Sequence, residues 1–109
     1  IIENLLKNAV NAIDTEGQIV VSIKENIAKE EIFIDISDTG KGISKSNFDA
    51  IFQPGFTTRQ RGWGLGLSLT RRMVRYHKGH IFVKESEIGK GTTFRIILKS
   101  NLNYEPTQV

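Results

Sequence analysis

Two helix-patterned stretches and two pairs of alternating runs, each pair joined by a turn signal, predict one small α+β domain with a single core of two layers. The helical patterns cover residues 1–13 and 65–77, and the alternating pairs lie within 18–37 and 80–98. A chain of 109 residues has material for one such core and not for two domains. It contains no cysteine, so a disulfide framework or thiolate metal site is impossible. No apolar run approaches the roughly 18 residues of a membrane span, and no signal peptide opens the chain, which points to a reducing, cytoplasmic setting. The opening inside a helical pattern, without methionine, reads as a piece of something longer. A net charge of +3 raises the question of nucleic acid. The basic residues are scattered, with only Arg71, Arg72, Arg75 and Lys78 clustered, and aromatics are few, so a solvated helix face is the plainer meaning.

In residues 1–13, Ile2, Leu5, Leu6, Ala9 and Ile13 follow the spacing of an amphipathic helix. Opposite them Asn4, Asn8 and Asn11 share a stripe, although asparagine is a poor helix former. Amide oxygens are hard, neutral donors suited to Mg²⁺ beside substrate phosphates. A merely polar outer face, with Glu3 and Lys7 as an i, i+4 pair, stays open as the alternative. After the turn Asp14-Thr15-Glu16-Gly17, the runs Gln18 to Glu25 and Glu31 to Ser37 read as an antiparallel hairpin. Ile32, Ile34 and Ile36 share one face, and period two places Asp38 on that same inward face. A carboxylate there must be protonated, paired or kept for a ligand's N–H donors, for which an adenine amino group would serve. The alternative is a strand-end Asp in an Asx turn.

Residues 44–61 read as a loop with one short helix, Ser46 to Phe52, followed by Gln53-Pro54-Gly55-Phe56-Thr57-Thr58-Arg59. Beside ligand loops such a segment serves as a lid, with Thr57, Thr58, Arg59 and Arg61 as candidate phosphate contacts and Phe52 and Phe56 as its apolar anchors. Gly62, Gly64 and Gly66 then alternate into a helix, which suits close backbone approach to phosphate at a helix start. The spacing is not G-x-G-x-x-G, since position 67 is leucine, and no G-x-x-x-x-G-K-[ST] loop occurs; alone, this stretch could equally be a flexible turn. The helix from Leu65 to His77 carries Leu65, Leu69 and Met73 on one side and ends at Lys78-Gly79. His80 to Glu87 and Thr92 to Leu98 form the second hairpin around Ile88-Gly89-Lys90-Gly91. His77 and His80 have no third ligand at metal spacing, so no zinc site is expected. Ser100 to Val109 reads as a frayed tail.

Four features thus follow in one order: an asparagine helix, Asp-x-Gly-x-Gly after a strand, Gly-x-Gly-x-Gly before a helix, and Gly-x-Gly-Thr-Thr-Phe opening the last strand. Together they resemble the Bergerat ATP-binding domain shared by sensor histidine kinases, a class of heat-shock chaperones, MutL and type II topoisomerases. The wording is closest to the kinases. Asn4-Leu5-Leu6-Lys7-Asn8-Ala9 resembles their N box, Asp38-Thr39-Gly40-Lys41-Gly42-Ile43 the first G box and Ile51 to Thr58 the F box. Gly62 to Leu67 resembles the second G box and Gly89-Lys90-Gly91-Thr92-Thr93-Phe94 the third. The Pro-Gly-Phe-Thr-Thr lid is similar to that of the nitrogen-regulation branch.

The resemblance implies a two-layer sandwich in which helices cover one face of a mixed, mostly antiparallel sheet. It implies a catalytic domain over residues 1–99, truncated at its N-terminus, followed by a tail at 100–109. ATP and Mg²⁺ are the implied cofactors. Asn8 would ligate the metal, Asn4 would support metal or phosphates, and Arg59 or Arg61 would supply cationic contact to the γ-phosphate. Asp38 would accept from the adenine amino group with Thr92 assisting through water; Gly40, Gly42 and Ile43 would shape that pocket. Thr57, Thr58, Arg61, Gly62, Gly64, Leu65, Gly66 and Leu67 would enclose the phosphates. Chaperones and topoisomerases of the superfamily use a glutamate base near the position of Asn4, so an amide there favours phosphoryl transfer to a histidine over hydrolysis; Glu3 lies about 100° round the helix. Many histidine kinases carry a basic residue where Asn11 stands, which keeps a degenerate, regulatory nucleotide-binding module as the alternative. The implied partners are a dimerisation domain bearing the phosphoacceptor histidine, which neither His77 nor His80 matches, and a downstream response regulator. No nucleic acid is implied, any membrane contact belongs to other parts of a parent receptor in the inner membrane, and the piece itself is expected to be monomeric.

Overall fold

Leu5 and Ala9, one turn apart and both buried, seat helix α1 (Ile2–Ala12) on the sheet. Its interior has neither glycine nor proline, and the helix stops where Ile13 turns extended. The computed structural model describes residues 1–55 and 66–100. The expected contacts of Phe56, Thr57, Thr58, Arg59, Arg61, Gly62, Gly64 and Leu65, and the tail beyond Ser100, lie outside the described residues.

Four strands, β1 (Ile19–Asn26), β2 (Glu31–Asp38), β3 (His80–Glu87) and β4 (Gly91–Lys99), form one sheet in the order β1-β2-β4-β3. Every pairing in it is antiparallel. Strands β2 and β3, joined through the helical segment, do run in one direction, as a crossover connection produces. Because β4 inserts between them, parallel strands are never neighbours, and the expected mixed sheet is antiparallel at each ladder among the described residues.

Period two decides what each strand buries. Ile36, Ile81, Val83, Phe94 and Ile96 point to the helical side and pack with Leu5, Val74, Ile51 and Phe52. Phe52 meets Phe94 edge to face, 6.1 Å between centroids, and the Arg71 guanidinium lies 5.2 Å from the Phe52 ring. The short helix expected from Ser46 to Phe52 is instead two 3-10 turns, Lys45–Asn47 and Ala50–Phe52. So few residues cannot offset the cost of nucleating an α-helix, and i→i+3 bonds suffice to bury Ile51 and Phe52.

Helix α2 (Gly66–Tyr76) is tied at its start by the fully buried Thr70, whose hydroxyl donates to the Gly66 carbonyl at 2.8 Å. At its end the Gly79 N–H reaches the Val74 carbonyl at 2.9 Å, a Schellman closure. The left-handed position falls on Lys78, at φ 62°, rather than on the glycine beside it. Gly79 is held to its own place by tertiary packing, since a Cβ there would come 2.6 Å from the Ile97 carbonyl oxygen.

The opposite sheet face carries polar pairs. Arg95 grips Asp35 with two bonds of 2.8 Å and lies 4.5 Å from the Phe33 ring centroid, while Ser37 and Thr93 hydroxyls meet at 2.7 Å. The Arg95 bond, more than any other influence, holds the Asp35 carboxyl below its usual range, with Lys84 and Lys24 adding to it.

Two outcomes follow for unfolding measurements. Lys78→Gly should raise stability by roughly 0.5–1 kcal/mol, because it relieves a left-handed lysine, and thermal melting will register the gain. Asp35→Asn should cost about 1 kcal/mol at pH 7. Asp35 has a depressed folded pKa, so its contribution is complete above the ordinary carboxylate range and is lost as pH falls through the folded value. The gap between parent and variant should therefore close in acid.

Candidate functional site

Asp38 ends β2 on the helix-facing side, 7% exposed. Its Oδ1 accepts the Gly40 N–H at 2.8 Å, so the Asx turn is real. That turn does not account for the burial. Loss of water pushes the carboxyl pKa upward, only partly offset by the backbone N–H groups of Gly40 and Thr92, and no cation among the described residues pairs with it. A buried acceptor with spare lone pairs therefore sits at one end of the sheet.

The loop after it is stitched on three sides. Lys41 N–H donates to the Ala12 carbonyl at the end of α1 (2.9 Å), the Lys41 carbonyl accepts from Gly89 N–H (2.8 Å), and Ile43 N–H donates to the Ser86 hydroxyl (2.7 Å). Gly40 must be glycine because an added Cβ would lie 2.5 Å from the Ala12 oxygen. Gly42 sits at φ 81° against the Glu87 backbone. Both expected pocket glycines are thus positions of close backbone approach.

Across the sheet, Asp38 on β2 stands opposite Thr92 on β4, which stands opposite Ser86 on β3. Thr92 is buried, and its hydroxyl lies 2.7 Å from that of Ser86. Sequence reasoning missed Ser86. Alternation from Ile81 and Val83 points Glu85 inward, but a bulge between Val83 and Glu85 shifts the register, so that Ser86 faces inward instead. Nothing in the local pattern announces that bulge.

Asn4 and Asn8 are half-buried on the stripe the spacing predicted. The bond from Lys41 to Ala12 fixes the end of α1 at the Asp38 turn. Asn8 is therefore about one helical turn, roughly 6 Å, back along the axis, and Asn4 about two. The Glu3–Lys7 ion pair exists as well, at 3.6 Å, on the exposed side of the helix. Asn11 lines a shallow groove with Leu6 and Val10. Gly66 and Leu67 open α2, with open space beside Gly66 and Leu67 packed on the core.

Asn4 and Asn8 set neutral amide oxygens on one helix stripe, donors of the kind that hold Mg²⁺ beside phosphates. Among the described residues there is no group of three or more His, Cys, Asp or Glu side chains that could hold a metal ion. His77 and His80 are exposed. No described helix is long and apolar enough to cross a membrane.

Residues 1–102 match the family described as histidine kinase-, DNA gyrase B- and HSP90-like ATPase. Sensor histidine kinase ZraS of Salmonella typhi is 43% identical over 95 residues, 87% of this chain and 20% of that protein. Sporulation kinase E of Bacillus subtilis is 38% identical over 102 residues, 94% of this chain and 14% of that one. The chain thus spans a fifth or less of these two relatives. Among solved structures, the catalytic domain of histidine kinase ThkA in a nucleotide-free form superimposes with a TM-score of 0.75 at 28% identity, covering 89% of this chain and 62% of that one. With five boxed motifs, the sheet order and the match over residues 1–102 in agreement, the chain belongs to the histidine kinase-, DNA gyrase B- and HSP90-like ATPase family.

Proposed function

We propose that this chain is the ATP-binding catalytic domain of a two-component sensor histidine kinase. It holds Mg-ATP and presents the γ-phosphate to a histidine on a separate dimerisation domain of the same parent. The observation that carries the reading is Asp38, a buried carboxylate without a cation partner among the described residues, at the mouth of a loop held rigid from three directions. A purine amino group supplies a further N–H donor for the lone pairs that Gly40 and Thr92 leave spare.

From there the nucleotide extends along α1. With the base at the helix end near Ala12, the phosphates run back past Asn8 toward Asn4, the two amides that would hold Mg²⁺. Bound metal supplies charge compensation for a loose phosphoryl-transfer transition state. Gly66 and Leu67 at the α2 start, with Thr57, Thr58, Arg59, Arg61, Gly62, Gly64 and Leu65 before it, enclose the phosphates in this reading. The chain's own work is positioning. Hydrolysis lacks a base on this helix: Asn4 is an amide, and the Glu3 side chain is 81% exposed and turned to Lys7. The named kinase relatives and an AMPPNP-bound full-length ShkA, alike in fold at a TM-score of 0.73 and 26% identity, support the same assignment. A response regulator downstream, a monomeric state for this piece and a cytoplasmic position in a membrane-bound parent complete the proposal.

Calorimetric titration with Mg-ATP near pH 7 should show Asp38→Asn binding at least about tenfold more weakly, a loss of about 1.4 kcal/mol. The same variant should melt no lower than the parent. Asp38 has a raised folded pKa, so folding favours its protonated form: stability is greatest below the ordinary carboxylate range and declines as pH rises through the folded value. Removing the charge therefore helps at neutral pH and not in acid. Equal ATP affinity in the two proteins would defeat the adenine assignment. Fused to the dimerisation domain of a sensor kinase relative, the chain should form phosphohistidine; steady release of phosphate without it would assign hydrolysis instead.

A further inference from the structure

Ser86 has one hydrogen and three neighbours. The Ile43 N–H can only donate to its oxygen, at 2.7 Å, and the Gly91 carbonyl can only accept from it, at 3.0 Å. The third neighbour, the Thr92 hydroxyl at 2.7 Å, could take either role in isolation. With the Ser86 hydrogen committed to Gly91, Thr92 is left to donate to Ser86. Its oxygen then has only lone pairs to offer on the pocket side.

This matters because of the row in which Thr92 stands. Asp38, Thr92 and Ser86 are consecutive cross-strand neighbours on one face of β2, β4 and β3. Side chains directly opposite in such a ladder have Cβ atoms about 5 Å apart, within reach of one small polar group. Asp38, when ionised, offers only acceptors, and Thr92 with its hydrogen turned toward Ser86 does the same. An exocyclic amino group carries two hydrogens and satisfies both. A carbonyl oxygen at that position meets two acceptors and no hydrogen.

Taking the adenine assignment to Asp38 as its basis, we propose that Ser86 is a positioning residue for base specificity: by fixing the direction of the Thr92 hydroxyl it makes the row acceptor-only, and the pocket selects a 6-amino purine over a 6-oxo purine. Without Ser86 the Thr92 hydroxyl is free to turn and donate to a 6-oxo group, and discrimination falls although the site still binds ATP.

The probe pair is ATP and inosine triphosphate, which share the sugar and phosphates and differ at the purine C6 substituent and N1 proton. Calorimetric titration of the chain with each yields a ratio of dissociation constants, a readout that a general loosening of the pocket does not move. The parent should favour ATP, and Ser86→Ala should reduce that preference by about fivefold to tenfold. Ser86→Cys, close in size but a weak acceptor, should act in the same direction should the alanine variant not fold. Ser86→Thr keeps the hydroxyl and should restore the parental ratio. In a Thr92→Val background, Ser86→Ala should leave the ratio unchanged, because the group through which it acts is gone. A parent that discriminates, with a ratio that survives Ser86→Ala and Ser86→Cys, overturns the role of Ser86 alone. A parent that binds both nucleotides alike, or neither, removes the adenine assignment together with it.

Discussion

A buried carboxylate without a cation partner among the described residues is the constraint around which this domain is arranged. Ionised Asp38 loses water on folding and gains only the N–H groups of Gly40 and Thr92 in return. The surrounding backbone has to hold it there at a net cost. The end of α1, the turn through Lys41 and Gly89, and the Ser86 hydroxyl each hold the Asp38–Ile43 loop from a different direction. None of these contacts touches the carboxylate itself. They fix the loop in place, and so keep a group that would otherwise relax toward solvent facing into the site.

Much of this was legible in the residues, and for identifiable reasons. Period two across Ile32, Ile34 and Ile36 carries directly to Asp38, because side-chain direction in a regular strand depends only on counting. The asparagine stripe on α1 follows from counting at 3.6 residues per turn. What escaped were departures from a period and contacts between distant segments. The bulge after Val83 moves Ser86 inward, and the insertion of β4 between β2 and β3 leaves no parallel pairing among the described residues; both are settled by tertiary pairing. The resemblance gives Gly40 a part in shaping the adenine pocket. Its local surroundings are the backbone of Ala12, so its first task is to let the loop close on α1. Lys78 in a left-handed position, with glycine available next to it, belongs to the same class: close approach to Ile97 claims Gly79 first.

The two aspartates of β2 show what the site adds to the fold. Asp35 and Asp38 lie three residues apart on one strand and so face opposite sides of the sheet. Asp35 is gripped by two of the three nitrogens of a guanidinium, Nε and Nη2 of Arg95, and its pKa is drawn down. Asp38 is driven the other way by burial. The first charge is matched within the protein and completes the outer face; the second has no cation partner among the described residues. A carboxylate that needed only to finish the fold would be paired like Asp35 or exposed like Asp14. Structural ion pairs also shift pKa values, so direction discriminates better than size here: the lowered acid has its cation partner, whereas the raised one has none among the described residues and is the group we propose to meet the adenine amino group.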